Sequence, residues 1–276
     1  MSQSRRFLVL APVILLVASF CLLLVVNLNG FTSALRRLYW SQADTSNIRG
    51  APFAVTRWTS YGLCGVDFSG RNNGCTRRQF AFPYSPSYNF ANADNLPEDF
   101  VRNRNRYRSL SRAAYGLFLA GVIATAVSVL SLISAVFRQS MALVTTGFVS
   151  NLIALLVTIV AAVLISFAHF SGVNTFRTEF GVASDIGTKL FGVTYAAVAG
   201  LLLAFIFQLV IMCIYPRKKY VVGPAPVPGP SRNYDPNLYN DQSNNTTWNK
   251  SYMNGQQPFQ SMKDVKHGPN NWSGNH

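Results

Sequence analysis

The chain has 276 residues, is 49% hydrophobic and only 12% charged, and carries a formal net charge of +14. An apolar, sparsely charged chain of this kind does not fit the ordinary soluble class. Its basic balance points to an anionic membrane surface rather than nucleic acid, since no zinc-finger spacing, RNA-binding signature or basic DNA-reading helix accompanies it.

A short basic start, with Arg5 and Arg6, leads into an apolar run over 7–27. That run is long enough to cross a bilayer as a helix, and it is longer than a signal-peptide core, so it reads as a retained anchor with a cytoplasmic N-terminus. Residues 28–112 form a polar insert of domain size, placed outside. Its end is a basic cluster, Arg102, Arg104, Arg106, Arg108 and Arg112, read either as a headgroup or wall-polymer contact or as a solvated linker. A second span covers 113–137. A turn at 138–141, marked cytoplasmic by Arg138, returns a third span over 142–168, so the two are antiparallel neighbours. A short outer loop over 169–190 precedes the fourth span, 191–214. Arg217, Lys218 and Lys219 follow directly and mark the cytoplasmic side; they are also candidate contacts for anionic lipid headgroups, phosphoinositides among them. The tail, 215–276, is rich in Asn, Pro, Ser and Gly and is expected to be disordered. Its Asn-x-Ser/Thr triplets at Asn244, Asn245, Asn249 and Asn271 would face the cytoplasm unglycosylated.

The middle of each span lacks ionisable residues, which counts against a pump or ion-coupled carrier. Asn151 in span three and Gln208 in span four fall in the same third of the bilayer. They suit an interhelical hydrogen bond, with a substrate contact as the alternative. Gly192, Ala196, Gly200 and Ala204 recur every fourth residue on span four, as do Gly116, Ala120 and Ala124 on span two. Such small-residue faces serve bundle packing or self-association.

The four cysteines separate by surroundings. Cys21 and Cys213 lie in apolar runs and read as small buried hydrophobes. Cys64 and Cys75 lie in the polar insert, separated by the turn formers Gly65, Gly70, Asn72, Asn73 and Gly74. The flanks, 56–63 and 77–82, are rich in aromatic and β-forming residues, and a hairpin cross-linked across its turn fits, with two free thiols as the alternative. A catalytic cysteine is disfavoured: His169 alone among the histidines can share that side, and no acid is placed to orient it. No enzyme activity, cofactor or metal site is therefore expected.

Taken in order, Leu38-Tyr39-Trp40, Ala43-Asp44-Thr45, Arg57-Trp58, Tyr61-Gly62-Leu63-Cys64 and Cys75 resemble the fungal Sur/PalI family. The resemblance continues through Leu96-Pro97-Glu98-Asp99-Phe100 and Ser109-Leu110-Ser111-Arg112, over roughly the first 215 residues. A wider resemblance, on Trp58, Gly62, Leu63 and the cysteine pair, is to the claudin superfamily. Together they imply an α-helical membrane protein: a four-transmembrane-helix bundle with a small disulfide-stapled antiparallel sheet in a large first extracellular loop. Trp40, Trp58, Gly62 and Leu63 would shape that loop. The implied function is structural, in eisosome-associated plasma-membrane furrows, bearing on cell-wall organisation, endocytosis and lipid organisation. The implied partners are plasma-membrane lipids (phosphoinositides, sphingolipids or sterols), eisosome scaffold proteins and other family members as oligomers. The PalI branch implies an alternative, an accessory or sensor subunit in ambient-pH signalling.

Overall fold

A computed structural model describes residues 3–90, 95–138 and 140–214. The expectations placed on the tail, including its disorder and the Arg217, Lys218 and Lys219 headgroup contact, lie outside the described residues.

Four long helices form the body: α1 (Gln3–Leu28), α4 (Arg104–Arg138), α5 (Met141–Thr178) and α6 (Thr188–Ile214). Each is long and apolar enough to cross a membrane. Around the bundle α1 neighbours α4, α4 neighbours α5, α5 neighbours α6, and α6 closes on α1. The outward faces carry Ile14, Leu130, Ile153, Val163 and Leu203, all exposed. The inward faces carry Leu16, Leu23, Phe118, Ile165 and Leu201 beside small polar residues such as Ser19, Thr125, Ser128 and Thr158. An apolar exterior over an interior of small and hydroxyl residues suits a lipid solvent, where helices associate by close approach and local hydrogen bonds. Thr125 returns its hydroxyl to the Gly121 carbonyl of its own helix, and Ser128 donates across to the Gly147 carbonyl of α5.

At 35 and 38 residues, α4 and α5 are much longer than the spans expected at 113–137 and 142–168. At 1.5 Å per residue they reach about 50–60 Å, against about 30 Å of bilayer hydrocarbon. The first turns of α4 and the last turns of α5 therefore overhang the apolar region. Residues 104–112 are helix, not linker.

The overhang carries a five-stranded antiparallel sheet ordered β4-β3-β2-β1-β5, built from β1 (Ser41–Asp44), β2 (Val55–Trp58), β3 (Leu63–Val66), β4 (Asn72–Asn73) and β5 (Ser184–Ile186). β1 pairs Ser41 with Trp58 on one side and with Ile186 on the other, so the short loop between α5 and α6 supplies the fifth strand. Two short helices, α2 (Pro86–Asn89) and α3 (Glu98–Arg102), complete the insert. The hairpin differs from the sequence expectation. Its strands are β3 and β4, and residues 77–82 form no strand. That segment still runs beside 60–63, through Gln79 N–H to the Tyr61 carbonyl and Phe82 N–H to the Ser60 carbonyl.

Asn151 Nδ2 donates to Gln208 Oε1 at 3.0 Å, with both side chains buried. Asn151→Leu leaves Gln208 buried without that donor, and thermal unfolding in detergent should show a loss of about 1–3 kcal/mol. Adding Gln208→Leu should recover part of it. A double-mutant cycle is expected to give a coupling of about 0.6–2 kcal/mol, and purely additive costs would show that the two amides act independently.

Candidate functional site

The residues singled out in the polar insert converge on the junction between sheet and bundle. Trp40 precedes β1, and its backbone is clamped from both sides: its N–H donates to the Trp58 carbonyl at 2.8 Å and its carbonyl accepts from Gly187 N–H at 2.8 Å. Its side chain is fully buried in the bundle core, stacked on Phe118 of α4 and His169 of α5 and edge-on to Phe191 of α6. The indole N–H donates to Ser60 Oγ, which in turn reaches the Val26 carbonyl of α1. One tryptophan thus touches all four long helices, directly or through one hydroxyl. Gly187 must be glycine here, because a Cβ would collide with the Tyr39 carbonyl oxygen.

Trp58, the other tryptophan of the motif, lies on the sheet's inner face against Tyr84, Phe90 and Phe176, in a cluster completed by Leu63, Phe100 and Tyr107. Aromatic pairs of this kind add about 0.5–1.5 kcal/mol each beyond their burial. Gly62 is buried where a Cβ would stand 2.8 Å from Thr76 Oγ1, the hydroxyl that accepts from Leu63 N–H. Cys64 on β3 and Cys75 just after β4 form a disulfide. In the chain-entropy picture a closed loop of about this size contributes roughly 3 kcal/mol.

Arg57, on β2, is 93% buried by its 7% exposure. Nε donates to Gln42 Oε1 at 2.9 Å, and Nη1 to the Gly70 carbonyl and to Asn72 Oδ1. Its guanidinium lies 4.1 Å over the Tyr39 ring. Asn72 adds a bond from Nδ2 to the Leu38 carbonyl. Together these polar contacts tie β4 to β2 and to the approach to β1. The sequence marks Arg57 only as part of a motif, and no periodicity signals its burial.

Asp99 is the corresponding anchor on the α4 side. Its carboxylate accepts from Asn103 Nδ2, Tyr107 Oη and Thr175 Oγ1. Burial raises its pKa, but these hydrogen bonds with Tyr107, Asn103 and Thr175, and the nearby Arg102, outweigh it and hold the carboxyl below the ordinary range. The sequence offers His169 only as a partner for a cysteine. It instead meets Ser41, with Nδ1 and Oγ 2.8 Å apart, fully buried between Trp40 and Tyr84. The basic cluster is partly laid on aromatic faces, Arg104 and Arg108 over Tyr88 and Arg106 over Phe167. Among the described residues no group of His, Cys, Asp and Glu has the proximity to hold a metal.

Two expectations are corrected. Cys21 and Cys213 are exposed on the outer faces of α1 and α6, where lipid rather than core supplies the apolar surroundings. The stripe on α6 is not uniformly packed: Gly192 has nothing within 4 Å of a Cβ position and Ala196 is exposed, whereas Gly200 meets Ser19 of α1 and Ala204 is fully buried. Residues four apart advance about 40° around a helix of 3.6 residues per turn, so a stripe of this length crosses from an open face to a packed one. On α4, Gly116 and Ala120 are likewise exposed.

The architecture defines a class: a four-helix membrane bundle bearing a disulfide-stapled sheet from its first long connection, with one strand from its last. Within it, the sequence model of the SUR7/PalI family matches residues 8–207, and the chain belongs to that family. It is 30% identical over 190 residues to an uncharacterized plasma membrane protein of Saccharomyces cerevisiae, covering 69% of this chain and 62% of that one. It is 31% identical over 196 residues to the SUR7 family protein FMP45 of the same yeast, covering 70% and 62%. To protein SUR7 of Candida albicans it is 33% identical over 179 residues, covering 62% and 61%. The chain thus spans a little under two thirds of the length of these relatives.

In a Cys21→Ser/Cys213→Ser background, a maleimide should label no thiol until reductant is added; labelling beforehand would remove the Cys64–Cys75 bond from the account. Because the Asp99 carboxyl is depressed, its contribution is complete above the unfolded value of about 3.9 and lost as pH falls through the folded one. The thermal midpoint should therefore be insensitive to this group at neutral pH and decline in acid, and Asp99→Asn should flatten part of that acid decline.

Proposed function

We propose that this protein is a structural organiser of the plasma membrane, presenting a rigid extracellular sheet on a lipid-embedded bundle and keeping both termini in the cytoplasm. The observation that carries this reading is the junction itself. Trp40, Trp58, Ser41 and His169 fasten the sheet onto the ends of the bundle, and Asp99 ties α3 to the overhanging ends of α4 and α5. A platform so joined cannot rotate against its membrane anchor, which suits lateral assembly at a fixed orientation. The relatives, two of them SUR7-type and one a plasma membrane protein, support the location.

Within that role, the family resemblance supports residence in cortical furrow patches with eisosome scaffold proteins, and effects on cell-wall organisation, endocytosis and lipid organisation. Arg217, Lys218 and Lys219, directly after α6, would attract anionic headgroups at about 1 kcal/mol per basic residue. A tagged copy imaged with a furrow marker should form static cortical patches that disperse when the scaffold is removed. A diffuse membrane signal, with loss of growth at alkaline pH on deletion, would overturn the organiser in favour of the ambient-pH sensor.

A further inference from the structure

We propose that the cleft between Arg57 of β2, the turn joining β3 to β4 and the first turn of α6 is a binding site for a phosphoryl oxyanion. The cleft encloses about 320 Å³ and is lined by Arg37, Tyr39, Arg57, Ser69, Thr188 and Lys189, with Gly70 and Gly187 completing it. Three of these side chains are cations and none is an acid.

Two independent features aim positive charge into the same space. The first is Arg57. Its Nε and Nη1 are used by Gln42, Gly70 and Asn72, but among the described residues nothing accepts from Nη2. Three hydrogen bonds fix the guanidinium in a residue only 7% exposed, while the remaining arm is not a buried orphan and stays accessible from the cleft, where an anion can meet it. Burial pulls its pKa below the ordinary range, and Tyr39 and Asp67 only partly offset this, so the charge lacks full compensation within the protein. Asp67 and Asp185 are the acids nearest in sequence to the cleft; Asp67 Oδ1 is already taken by Ser69 N–H, Ser69 Oγ and Arg71 N–H, and Asp185 Oδ1 by Arg177.

The second feature is the start of α6, a 27-residue helix. The Gly187 carbonyl accepts from both Leu190 and Phe191 N–H. The Thr188 and Lys189 N–H groups have no acceptor among the described residues, and both residues line the cleft. Free first-turn amides and the positive end of the helix dipole favour an anion there. Arg37 and Lys189, both exposed, supply further charge.

The position suggests how a ligand arrives. The apolar run of α6 begins at Leu190-Phe191, immediately past the cleft, so the site lies at the depth of lipid headgroups. A headgroup phosphate and free inorganic phosphate present the same tetrahedral oxyanion to these donors. The inference stands on this geometry whichever side of the membrane the sheet faces, and so does not depend on the furrow role.

The test uses the full chain in neutral detergent, following the thermal midpoint against sodium phosphate with chloride at matched ionic strength. A parallel series places the chain in phosphatidylcholine nanodiscs with and without phosphatidic acid. Arg37→Ala/Lys189→Ala removes two exposed charges without touching the sheet's hydrogen bonds. Arg102→Ala/Arg104→Ala removes the same charge elsewhere. The expected result is stabilisation of the parent and of the control pair, with apparent affinity weakened by about tenfold in the cleft pair. A response to inorganic phosphate identifies a soluble anion as sufficient; a response to phosphatidic acid alone identifies the headgroup as the source. No stabilisation by either, or equal weakening in the two double variants, would overturn the site.

Discussion

Burial of Trp40 is the constraint on which the structure depends. Its backbone bonds to β2 on one side and to the residue before α6 on the other, and its indole fills the centre of the bundle. Sheet and bundle therefore cannot be optimised separately. Moving the sheet by one residue would draw the indole out of the bundle and reverse the faces of Ala43 and Trp58. The sheet's strands are only two to four residues long, too short to hold together alone in water. They persist because their inner face is buried on the overhang of α4 and α5.

That dependence explains how polar groups are used. A small sheet has little apolar area, so its edges are tied by buried polar side chains instead: Arg57 and Asn72 across β2 to β4, and Thr45 to Thr56 between the ends of β1 and β2. Each bond contributes only about 0.5–1.5 kcal/mol net, but losing one partner leaves a buried group unpaired at greater cost. The exposed Arg177–Asp185 pair, at 2.8 Å, is a weaker fastening for β5. The bond from Arg177 Nε to the Ser184 carbonyl works with it.

Much of this was legible in the chain. Four apolar runs of bilayer length declare four helices, and two cysteines flanking a cluster of glycine and asparagine declare a stapled turn. The amides at Asn151 and Gln208 stand out because lipid makes unpaired polar groups costly. What the sequence conceals is whatever depends on tertiary partners. β5 is three residues in a loop that becomes a strand only because β1 offers an edge. The helical overhangs have no apolar run to announce them, since one side faces the sheet and the other water. Cys21 and Cys213 read as core because hydropathy cannot distinguish a core-facing from a lipid-facing position. The stripe on α6 misleads for a related reason, as four-residue spacing does not follow one face of a straight helix indefinitely.

The start of α4 shows how local rules yield to the tertiary frame. A helix N-terminus disfavours cations, yet this one opens with Arg104, Arg106 and Arg108 and has no acid in its first turn. Two arrangements offset the conflict. Arg104 and Arg108 both lie against the Tyr88 ring, and Arg106 lies against Phe167 of α5, each an aromatic face that accepts a cation. Asp99, from the preceding α3, bonds to Tyr107 one turn into α4 and supplies beside this end the negative charge the helix itself lacks. The aromatic residues of 84–90 and the Leu96-Pro97-Glu98-Asp99-Phe100 stretch therefore do one job from two directions. They let a strongly basic segment be helical, and that helix is the surface on which the sheet rests.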